Sequence, residues 1–332
     1  MSAVDWLLEE SQPSVRYLAL TELLEKPKSD PDAKAAKRVI TERGWAKKIL
    51  ERQTSGGLWI DSENLYSGPM KKAWIGEENL YFPKYISTNW MMLILSDLGL
   101  NRDDPRIEKA CQIWMKRFGM KDGGFNDEPR DRVGHLCLTG NTARALVKFG
   151  YTDDTVVRRA FEWLVKSQRE SGGWDCFLGK GNLDSWEPLS AFAVYPRQKW
   201  TRSMKSSVER GAEFYLERRL HKEGKRYPPW YRFHYPVHYY YDLLVGLDFM
   251  TALGYSSDRR LGFAISLLKK KRRADGRWNL EALNPDPESP VANWDRKHPD
   301  QASIPFALER AQRPSKMITL NALKVLNRIS RP

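Results

Sequence analysis

The sequence predicts an all-α protein in which six inner and six outer helices close into a double-walled barrel, an α6/α6 (α/α) toroid. Three observations lead to this fold class: a repeat of about fifty residues, an alternation of two kinds of helix, and a glycine-rich turn after each copy of the repeat. Because the repeat runs through most of the 332 residues, we expect residues 1–332 to form one domain.

The repeat is clearest in its amphipathic helices. Copies begin at Ala46, Ala110, Ala160, Ala212 and Ala264 with "AKKILERQ", "ACQIWMKRF", "AFEWLVKSQ", "AEFYLERRL" and "AISLLKKKR". A small residue at position i and a large apolar residue at i+4 share one helical face. Lys, Arg and Glu occupy the other face, so these helices belong to the outer wall, and "VDWLLEE" supplies a sixth.

A second set of helices is apolar on every side. A helix without a solvated face belongs in an interior, so this set predicts the inner wall. Its members are "PSVRYLALTELL", "STNWMMLILSDLG", "CLTGNTARALVKFG", "LDSWEPLSAFAVY", "YYYDLLVGLDFMTALG" and "SKMITLNALKVLNRI". Alternation of the two sets along the chain predicts the closed ring.

Turns and caps separate the helices. The turns "SGGLW", "DGGF", "SGGW" and "DGRW" end at Trp59, Phe125, Trp174 and Trp278, while the remaining copy keeps only Gly224 and then "YPPW". The pairs Asp103–Asp104 and Asp153–Asp154 each stand just before an outer helix. We interpret them as N-caps, because an Asp side chain accepts hydrogen bonds from the free N–H groups at a helix start.

Two insertions interrupt the pattern, at residues 60–85 and 282–314. The second is rich in Pro and Asp. Loops of this length usually carry function or cover a binding site, so we expect both to lie near one end of the barrel.

Composition restricts the function classes. The net charge is +13, and its densest basic run, "KKKRR" at residues 269–273, falls at a helix end, where cations complement the dipole. No nucleic-acid-binding signature accompanies the charge, which suits an anionic ligand or membrane headgroups equally well. Three cysteines argue against a disulfide framework. No apolar run approaches the ~18 residues of a membrane span, and we expect a cytoplasmic protein without a signal peptide.

One repeat resembles a known family. In "RRAFEWLVKSQRESGGW" a basic, a small, an aromatic and an aliphatic residue are followed by Gln and Gly-x-Trp, at Arg159, Ala160, Trp163, Leu164, Gln168, Gly172 and Trp174. This is similar to the repeat of squalene and oxidosqualene cyclases, and "AKKILERQTSGGLW" is a second good copy. The chain thus resembles the terpenoid-cyclase and protein-prenyltransferase superfamily, in particular its small single-toroid members. In that family the Gln ties the outer helix to the turn and the Trp packs on the next repeat.

The resemblance does not carry over the family's chemistry. Cyclases protonate their substrate with an Asp-x-Asp-Asp motif, which this sequence lacks. Protein prenyltransferases hold zinc with an Asp-x-Cys pair and a distant His. In the corresponding stretch, Asp184 matches the Asp, but Trp186 replaces the Cys. Lanthipeptide cyclases hold zinc with a Cys and an adjacent Cys-His pair, which is also absent from the sequence.

The first turns of the inner helices all point to one mouth, where helix N-termini present free N–H groups. Residues there are the predicted cavity set: Asn89, Trp90, His135, Asn141, Trp186, Tyr240, Tyr241, Asp242 and Lys316 as ligand-binding residues, and Asp184, Glu187, His238 and Tyr239 as catalytic candidates. On an isoprenoid interpretation, the aromatic residues form a wall for a hydrophobic chain or a carbocation. Lys316 then holds a phosphorylated or other anionic end, and Asp184 or Glu187 donates a proton.

Two other interpretations remain open. On a carbohydrate interpretation, "RFHYPVHYYYD" supplies His234, Tyr235, His238 and Tyr239–Tyr241 to abstract a sugar proton, as in polysaccharide lyases. Asp184, Glu187 and Asp242 would serve as acid and base in a glycoside hydrolase. On the third interpretation, the toroid is a non-catalytic scaffold that binds a lipid or a partner chain.

No cofactor is predicted for this chain, and zinc is the one alternative. His135, Cys137, Cys176 and His238 lie in segments that lead to the same mouth, and two His with two Cys would form a plausible zinc set. Only His135 and Cys137 approach the usual spacing of zinc ligands. Cysteines are often simply buried, which is the competing explanation.

Overall fold

The computed structural model describes residues 2–59, 80, 85–126, 133–175, 182–221, 227–238, 240–283 and 307–331. Its α-helices, in chain order, are α1 (Ala3–Leu7), α2 (Pro13–Leu18), α3 (Pro31–Arg38), α4 (Gly44–Leu50), α5 (Thr88–Asp97), α6 (Pro105–Phe118), α7 (Leu136–Lys148), α8 (Thr155–Lys166), α9 (Glu187–Val194), α10 (Arg202–Glu217), α11 (Leu243–Ala252), α12 (Gly262–Lys270) and α13 (Lys316–Ser330). A π-helical turn, Ala19–Leu23, continues α2. The prediction of an all-α toroid is confirmed.

Helices α2, α5, α7, α9, α11 and α13 form the inner wall. In α5 every residue from Thr88 to Ser96 is buried, as its apolar sequence predicts. The outer helices bury one stripe each. In α8 the stripe is Val157, Ala160, Phe161 and Leu164, at the spacing of one helical face.

The ring closes through α13, which packs against α11, α2 and the π-helical turn, and also against α1. Asn327 Nδ2 donates to the Leu23 carbonyl at 3.1 Å. The Lys316 ammonium donates to the Trp6 carbonyl and, at 2.9 Å, to Glu9. The last inner helix is thereby bonded to the first helices of the chain, while the assignment of residues 1–332 to one domain remains a prediction.

The glycine-rich turns are held by the Gln and Trp of the repeat. Gln168 Nε2 donates to the Gly172 carbonyl at 2.7 Å and to the Ser207 carbonyl of the next outer helix, α10, at 2.8 Å. The Trp174 indole N–H donates to the Leu164 carbonyl at 2.9 Å. The indole ring lies against Gly211 of α10, where a Cβ would come within 2.6 Å of it. The turn therefore joins two consecutive outer helices.

The first copy repeats this bonding. Gln53 Nε2 donates to the Gly57 carbonyl at 2.9 Å and to the Arg106 carbonyl of α6 at 3.1 Å. The Trp59 indole donates to the Ile49 carbonyl at 2.7 Å. The copy without a Gln keeps the indole bond, from Trp278 to the Leu268 carbonyl at 2.8 Å. The indole bond is thus the part of the pattern that survives when the Gln is lost.

Near the start of three inner helices, a threonine hydroxyl forms a hydrogen bond with the backbone of the preceding turn. Thr88, Thr139 and Thr319 accept the backbone N–H of Trp59, Phe125 and Trp278 at 2.9, 2.8 and 3.0 Å. The direction in which each turn enters the inner wall is therefore fixed by a side-chain hydroxyl. The sequence repeat did not predict this contact.

The predicted caps and one glycine are confirmed. Asp104 and Asp154 accept the backbone N–H of Arg106 and Val156 at 2.9 and 2.8 Å. Gly172 has a φ of +87°, a conformation that costs other residues free energy and places the Gly172 carbonyl within reach of Gln168. Within the described ranges, no helix combines the length and the apolar character that crossing a bilayer requires.

Much of the two predicted insertions falls outside the described residues. Of 60–85, residues 80 and 85 are described, and of 282–314, residues 282–283 and 307–314 are. Tyr239 and Cys176 also lie outside the described part of the chain. Their predicted roles stay predictions.

We expect Gln168→Ala and Trp174→Ala to destabilise the fold. Loss of the two amide hydrogen bonds should lower the free energy of unfolding by about 1–3 kcal/mol. Removal of the fully buried indole should lower it by about 3–5 kcal/mol, because it leaves a cavity as well as an unbonded carbonyl. Urea unfolding measures both values.

Gln198→Ala is the matched control, since Gln198 is exposed in a short 3-10 helix, Arg197–Lys199. It should change the free energy of unfolding by less than about 0.5 kcal/mol. Wild-type stability in Gln168→Ala and Trp174→Ala would show that these bonds do not hold the repeats together.

Candidate functional site

A central cavity of about 70 Å³ lies where all six inner helices meet. Apolar side chains and polar or charged groups both contribute to its lining. The apolar side chains are Leu18, Val237, Leu244, Val245, Met317, Ile318 and Leu320; the polar and aromatic ones include Asp97, Arg144, Lys148, Trp186, His234, Tyr235, Asp242, Asp248 and Lys324. A lining of this mixed character suits a molecule with one hydrophobic and one polar part.

His234 and Asp242 form a buried pair on this lining. The His234 ring nitrogen Nδ1 lies 2.6 Å from Asp242 Oδ2, which also accepts the His234 backbone N–H at 3.1 Å. Asp242 Oδ1 caps α11 by accepting the Val245 N–H at 2.9 Å. Both side chains are 1% exposed. The other ring nitrogen, Nε2, has no hydrogen-bond partner among the described residues.

Two further polar groups on the lining are buried and unsatisfied in the described part of the chain. The Tyr235 hydroxyl has no hydrogen-bond partner there, and neither do Nε and Nη2 of Arg144. Arg144 is 6% exposed; its Nη1 lies 3.6 Å from Asp97 Oδ1, and its guanidinium lies 5.6 Å from the centre of the Trp186 ring. Burial holds the pKa of Tyr235 well above its ordinary value, so its hydroxyl stays protonated at neutral pH.

Ion pairs close the cavity toward the C-terminal ends of the inner helices. They are Lys148–Asp97, Lys324–Glu22 and Arg328–Asp248. Burial by itself would raise the pKa of Asp248, but the charges of Lys324 and Arg328 outweigh it and lower that pKa to about 2. The pKa values of Glu22 and Asp97 also lie below their ordinary values, because facing cations again outweigh burial. The carboxyl groups of Glu22, Asp97 and Asp248 are therefore ionised at neutral pH.

An aromatic cluster lies toward the N-terminal ends of the inner helices. The rings of Tyr85 and His238 stack at 4.6 Å, and Trp90 meets them edge-on at 5.1 and 5.2 Å. Tyr240 joins through its hydroxyl, 3.4 Å from that of Tyr85. The cluster brings the predicted residues Trp90, His238 and Tyr240 together.

Two buried amides border this cluster. Asn141 Nδ2 donates to the His238 carbonyl at 2.9 Å, and Asn89 precedes Trp90 in α5. The side-chain oxygens of both amides have no hydrogen-bond partner within the described ranges. The predicted residues Asn89 and Asn141 therefore each have a buried side-chain acceptor without a partner in the described chain, and Asn141 is bonded to the backbone of the cluster residue His238.

The remaining predicted residues lie apart from the cavity lining. Glu187 is 1% exposed at the first turn of α9, where a Cβ on Gly140 would come within 2.6 Å of its side chain. Asp184 is exposed and accepts the Trp230 indole N–H at 2.7 Å. The Tyr241 hydroxyl donates to the Leu220 carbonyl at 2.9 Å. Lys316 is bound to Glu9, as described above. The predicted single aromatic wall is thus divided, because Trp186 lines the cavity while Trp90 and Tyr241 do not.

The predicted metal ligands are only partly brought together. His135 Nδ1 and Cys137 Sγ approach to 3.3 Å at the start of α7, whereas His238 is stacked in the aromatic cluster. Across the described ranges, no three His, Cys, Asp or Glu side chains group as a metal site. Zinc binding gains no geometric support from these residues.

Arg144 is the residue that sequence reasoning missed. It lies inside "CLTGNTARALVKFG", which was assigned to the inner wall for its apolar character. The sequence could have indicated Arg144, because it is a cation in a helix that has no solvated face. Such a charge must be paired in the interior. The partner and the cavity were not visible in the sequence.

His238 makes the stability of the fold depend on pH. Burial and the neighbouring His234 lower the pKa of His238 to about 3, against 6.5 when it is solvated. The unfolded chain therefore binds a proton that the folded chain excludes between about pH 6.5 and pH 3, so stability falls as the pH falls through this window. Replacing His238 by Phe should remove about 2 kcal/mol of the loss between pH 7 and pH 5.

Urea unfolding at both pH values, in the wild type and in His238→Phe, measures this difference. His221→Phe is the control, because His221 is at the surface beside Phe263. Equal pH dependence in the wild type and in His238→Phe would contradict a depressed pKa at this position.

Comparison with known proteins gives one match in sequence. No family model matches the chain. It is 26% identical over 164 residues to a squalene–hopene cyclase of Bradyrhizobium diazoefficiens, over 46% of this chain and 24% of that enzyme. The match therefore spans about a quarter of the length of the curated relative.

Solved structures with a similar arrangement of helices include a protein from Actinoplanes, at 15% identity and a TM-score of 0.45 over 98% of this chain and 90% of that one. A variant of the type II terpene cyclase MstE from Scytonema, bound to its substrate geranylgeranyl dihydroxybenzoate, is 13% identical, with a TM-score of 0.46 over 98% of this chain and 97% of that one. Over the matched residues the chain is thus similar in sequence to a squalene–hopene cyclase, and the bonding of its Gln and Trp repeat agrees with that similarity.

Proposed function

We propose that this protein binds a partly hydrophobic small molecule of the isoprenoid class in its central cavity. The observation that carries this proposal is the mixed lining, to which Leu244, Val245 and Ile318 contribute apolar surface and Arg144 and His234 contribute polar groups. Apolar side chains bind a hydrocarbon segment by excluding water from it, and a few placed polar groups fix its orientation. Similarity to squalene–hopene cyclase favours an isoprenoid over other hydrophobic molecules.

The size of the cavity determines which part of the ligand it holds. About 10–15 Å³ of such space is enough for one water molecule, so about 70 Å³ accepts one end of an isoprenoid and not a whole polyprenyl chain. The aromatic cluster of Tyr85, Trp90 and His238 lies on the side of the helix N-termini, where it would contact the remainder of the chain. Aromatic faces suit both hydrocarbon packing and a developing positive charge.

Cyclisation of the bound molecule would need a proton donor in place of the absent Asp-x-Asp-Asp motif. Of the two predicted carboxyl groups, Glu187 is buried beside Trp186, whereas Asp184 is exposed and bonded by Trp230. Because Glu187 lies apart from the described cavity lining, it would donate a proton only to a part of the ligand that extends beyond the cavity. His238 is neutral above about pH 3, which makes it a weak base, and it would serve as a hydrogen-bond acceptor. The role of Tyr239 stays a prediction.

Filling the cavity should abolish binding. In Val245→Phe the larger side chain occupies the apolar part of the lining, so we expect the affinity for farnesol, measured by isothermal titration calorimetry, to fall at least tenfold. In the wild type, affinity should rise from prenol to geraniol to farnesol, because each added isoprene unit buries more apolar surface.

Val156→Phe is the matched control, because Val156 is half-buried in the first turn of α8 on the outer wall. It should bind farnesol as the wild type does. Undiminished binding by Val245→Phe would place the ligand elsewhere, and no binding of any of the three alcohols by the wild type would contradict the proposed ligand class.

A further inference from the structure

The guanidinium of Arg144 has one edge that the described protein leaves unused. Nη1 faces Asp97, and the flat side of the group lies over Trp186, but the edge formed by Nε and Nη2 has no hydrogen-bond partner in the described ranges. Arg144 is 6% exposed, so little solvent water can form hydrogen bonds with this edge. A buried cationic donor without an acceptor is costly, which indicates that the edge is kept for a ligand.

Each carboxylate that lines the cavity already forms a hydrogen bond or an ion pair with a group other than the free edge of Arg144. Asp97 accepts from Lys148 at 2.7 Å, Asp248 accepts from Arg328 at 2.8 Å, and Glu22 is paired with Lys324. Asp242 uses its oxygens on the Val245 N–H and on two donors of His234. None of these four carboxylates is therefore the acceptor for the free edge of Arg144.

The Nε–Nη2 edge has the geometry of a bidentate oxyanion site. Its two N–H groups are parallel and match the two oxygens of a carboxylate or two oxygens of a phosphate. The Tyr235 hydroxyl lines the same cavity, stays protonated and lacks a partner among the described residues, so it is a third donor for the anion. Three donors around one small cavity favour an anionic group over a neutral one.

His234 adds an acceptor beside these donors. In the tautomer whose Nδ1–H donates to Asp242, the lone pair of the imidazole is on Nε2, which is buried and unsatisfied in the described chain. An imidazole lone pair accepts from an O–H group. The cavity therefore matches an oxyanion with a hydroxyl close to it.

We propose that the Nε–Nη2 edge of Arg144 binds an oxyanion at the polar end of the ligand, a carboxylate or a phosphate, with Tyr235 as a further donor and His234 Nε2 accepting from a neighbouring hydroxyl. This inference rests on the proposed function, because it names the polar end of the molecule whose hydrocarbon part meets Leu244 and Val245. A carboxylate or a phosphate has three to five heavy atoms, which suits a cavity of about 70 Å³.

Calorimetry with geranic acid and its uncharged methyl ester tests the inference at neutral pH. The wild type should bind the acid at least about tenfold more tightly than the ester, since the ester cannot form a charged bidentate pair. Arg144→Lys keeps the charge beside Asp97 but loses the planar edge, so its affinity for the acid should fall roughly 10- to 100-fold while its affinity for the ester stays unchanged. Arg158→Lys, on the exposed side of α8, is the control and should behave as the wild type.

The same titration with geranyl monophosphate distinguishes a carboxylate site from a phosphate site. Whichever of geranic acid and geranyl monophosphate binds with the higher affinity carries the oxyanion that the site prefers. Equal wild-type affinity for acid and ester would overturn the oxyanion site while leaving isoprenoid binding intact. A full preference for the acid in Arg144→Lys would overturn it as well.

If neither geranyl compound binds, the proposed ligand class fails. In that case, thermal unfolding with acetate or inorganic phosphate tests the oxyanion site separately. One of these ions must raise the melting temperature of the wild type but not of Arg144→Lys.

Tyr235→Phe separates binding from folding. Removing a buried hydroxyl that has no described partner should leave the stability of the ligand-free protein unchanged or raise it. The affinity for the preferred oxyanion should nevertheless fall about fivefold, because one donor is lost. Thermal unfolding and calorimetry measure the two quantities, and an unchanged affinity would remove Tyr235 from the site.

Discussion

The wall of the toroid depends on a hydrogen bond, formed in three repeats, between the indole of the turn and the outer helix that precedes it. Trp59, Trp174 and Trp278 all donate to a carbonyl ten residues earlier. This bond fixes the turn against the end of its own outer helix, and where a Gln is present its amide reaches the next outer helix. These bonds orient consecutive outer helices relative to one another, which favours closure of the ring.

Closing the ring places six largely apolar helices around one axis, so any polar group on their inner faces must be satisfied inside the protein. Several of them are, through ion pairs such as Lys148–Asp97 and Arg328–Asp248, whose cations are each 31% exposed. The unsatisfied edge of Arg144 and the nitrogen Nε2 of His234 open on the same cavity, which connects the architecture to the proposed binding site.

The repeat that resembles that of squalene cyclases lies in the wall, whereas the residues proposed to bind a ligand lie in the cavity. Gln168 and Trp174 perform structural bonding that any toroid of this kind can use, whatever it binds. The acid motif of the cyclases is absent from this sequence, while a His–Asp pair, a tyrosine and an arginine line the described cavity. The repeat therefore predicts the fold well and the chemistry poorly.

The sequence by itself determined the helices, their division into inner and outer walls, the N-caps and the turns, because these follow from local periodicity and from the conformational preferences of Gly and Asp. It also brought Trp90 and His238 into one predicted set, and in the structure their rings meet edge to face in one cluster. Tertiary structure alone decided which polar residues meet. Arg144 is separated from His234 and Tyr235 by about ninety residues of chain, and their common cavity arises from ring closure, which no local pattern encodes.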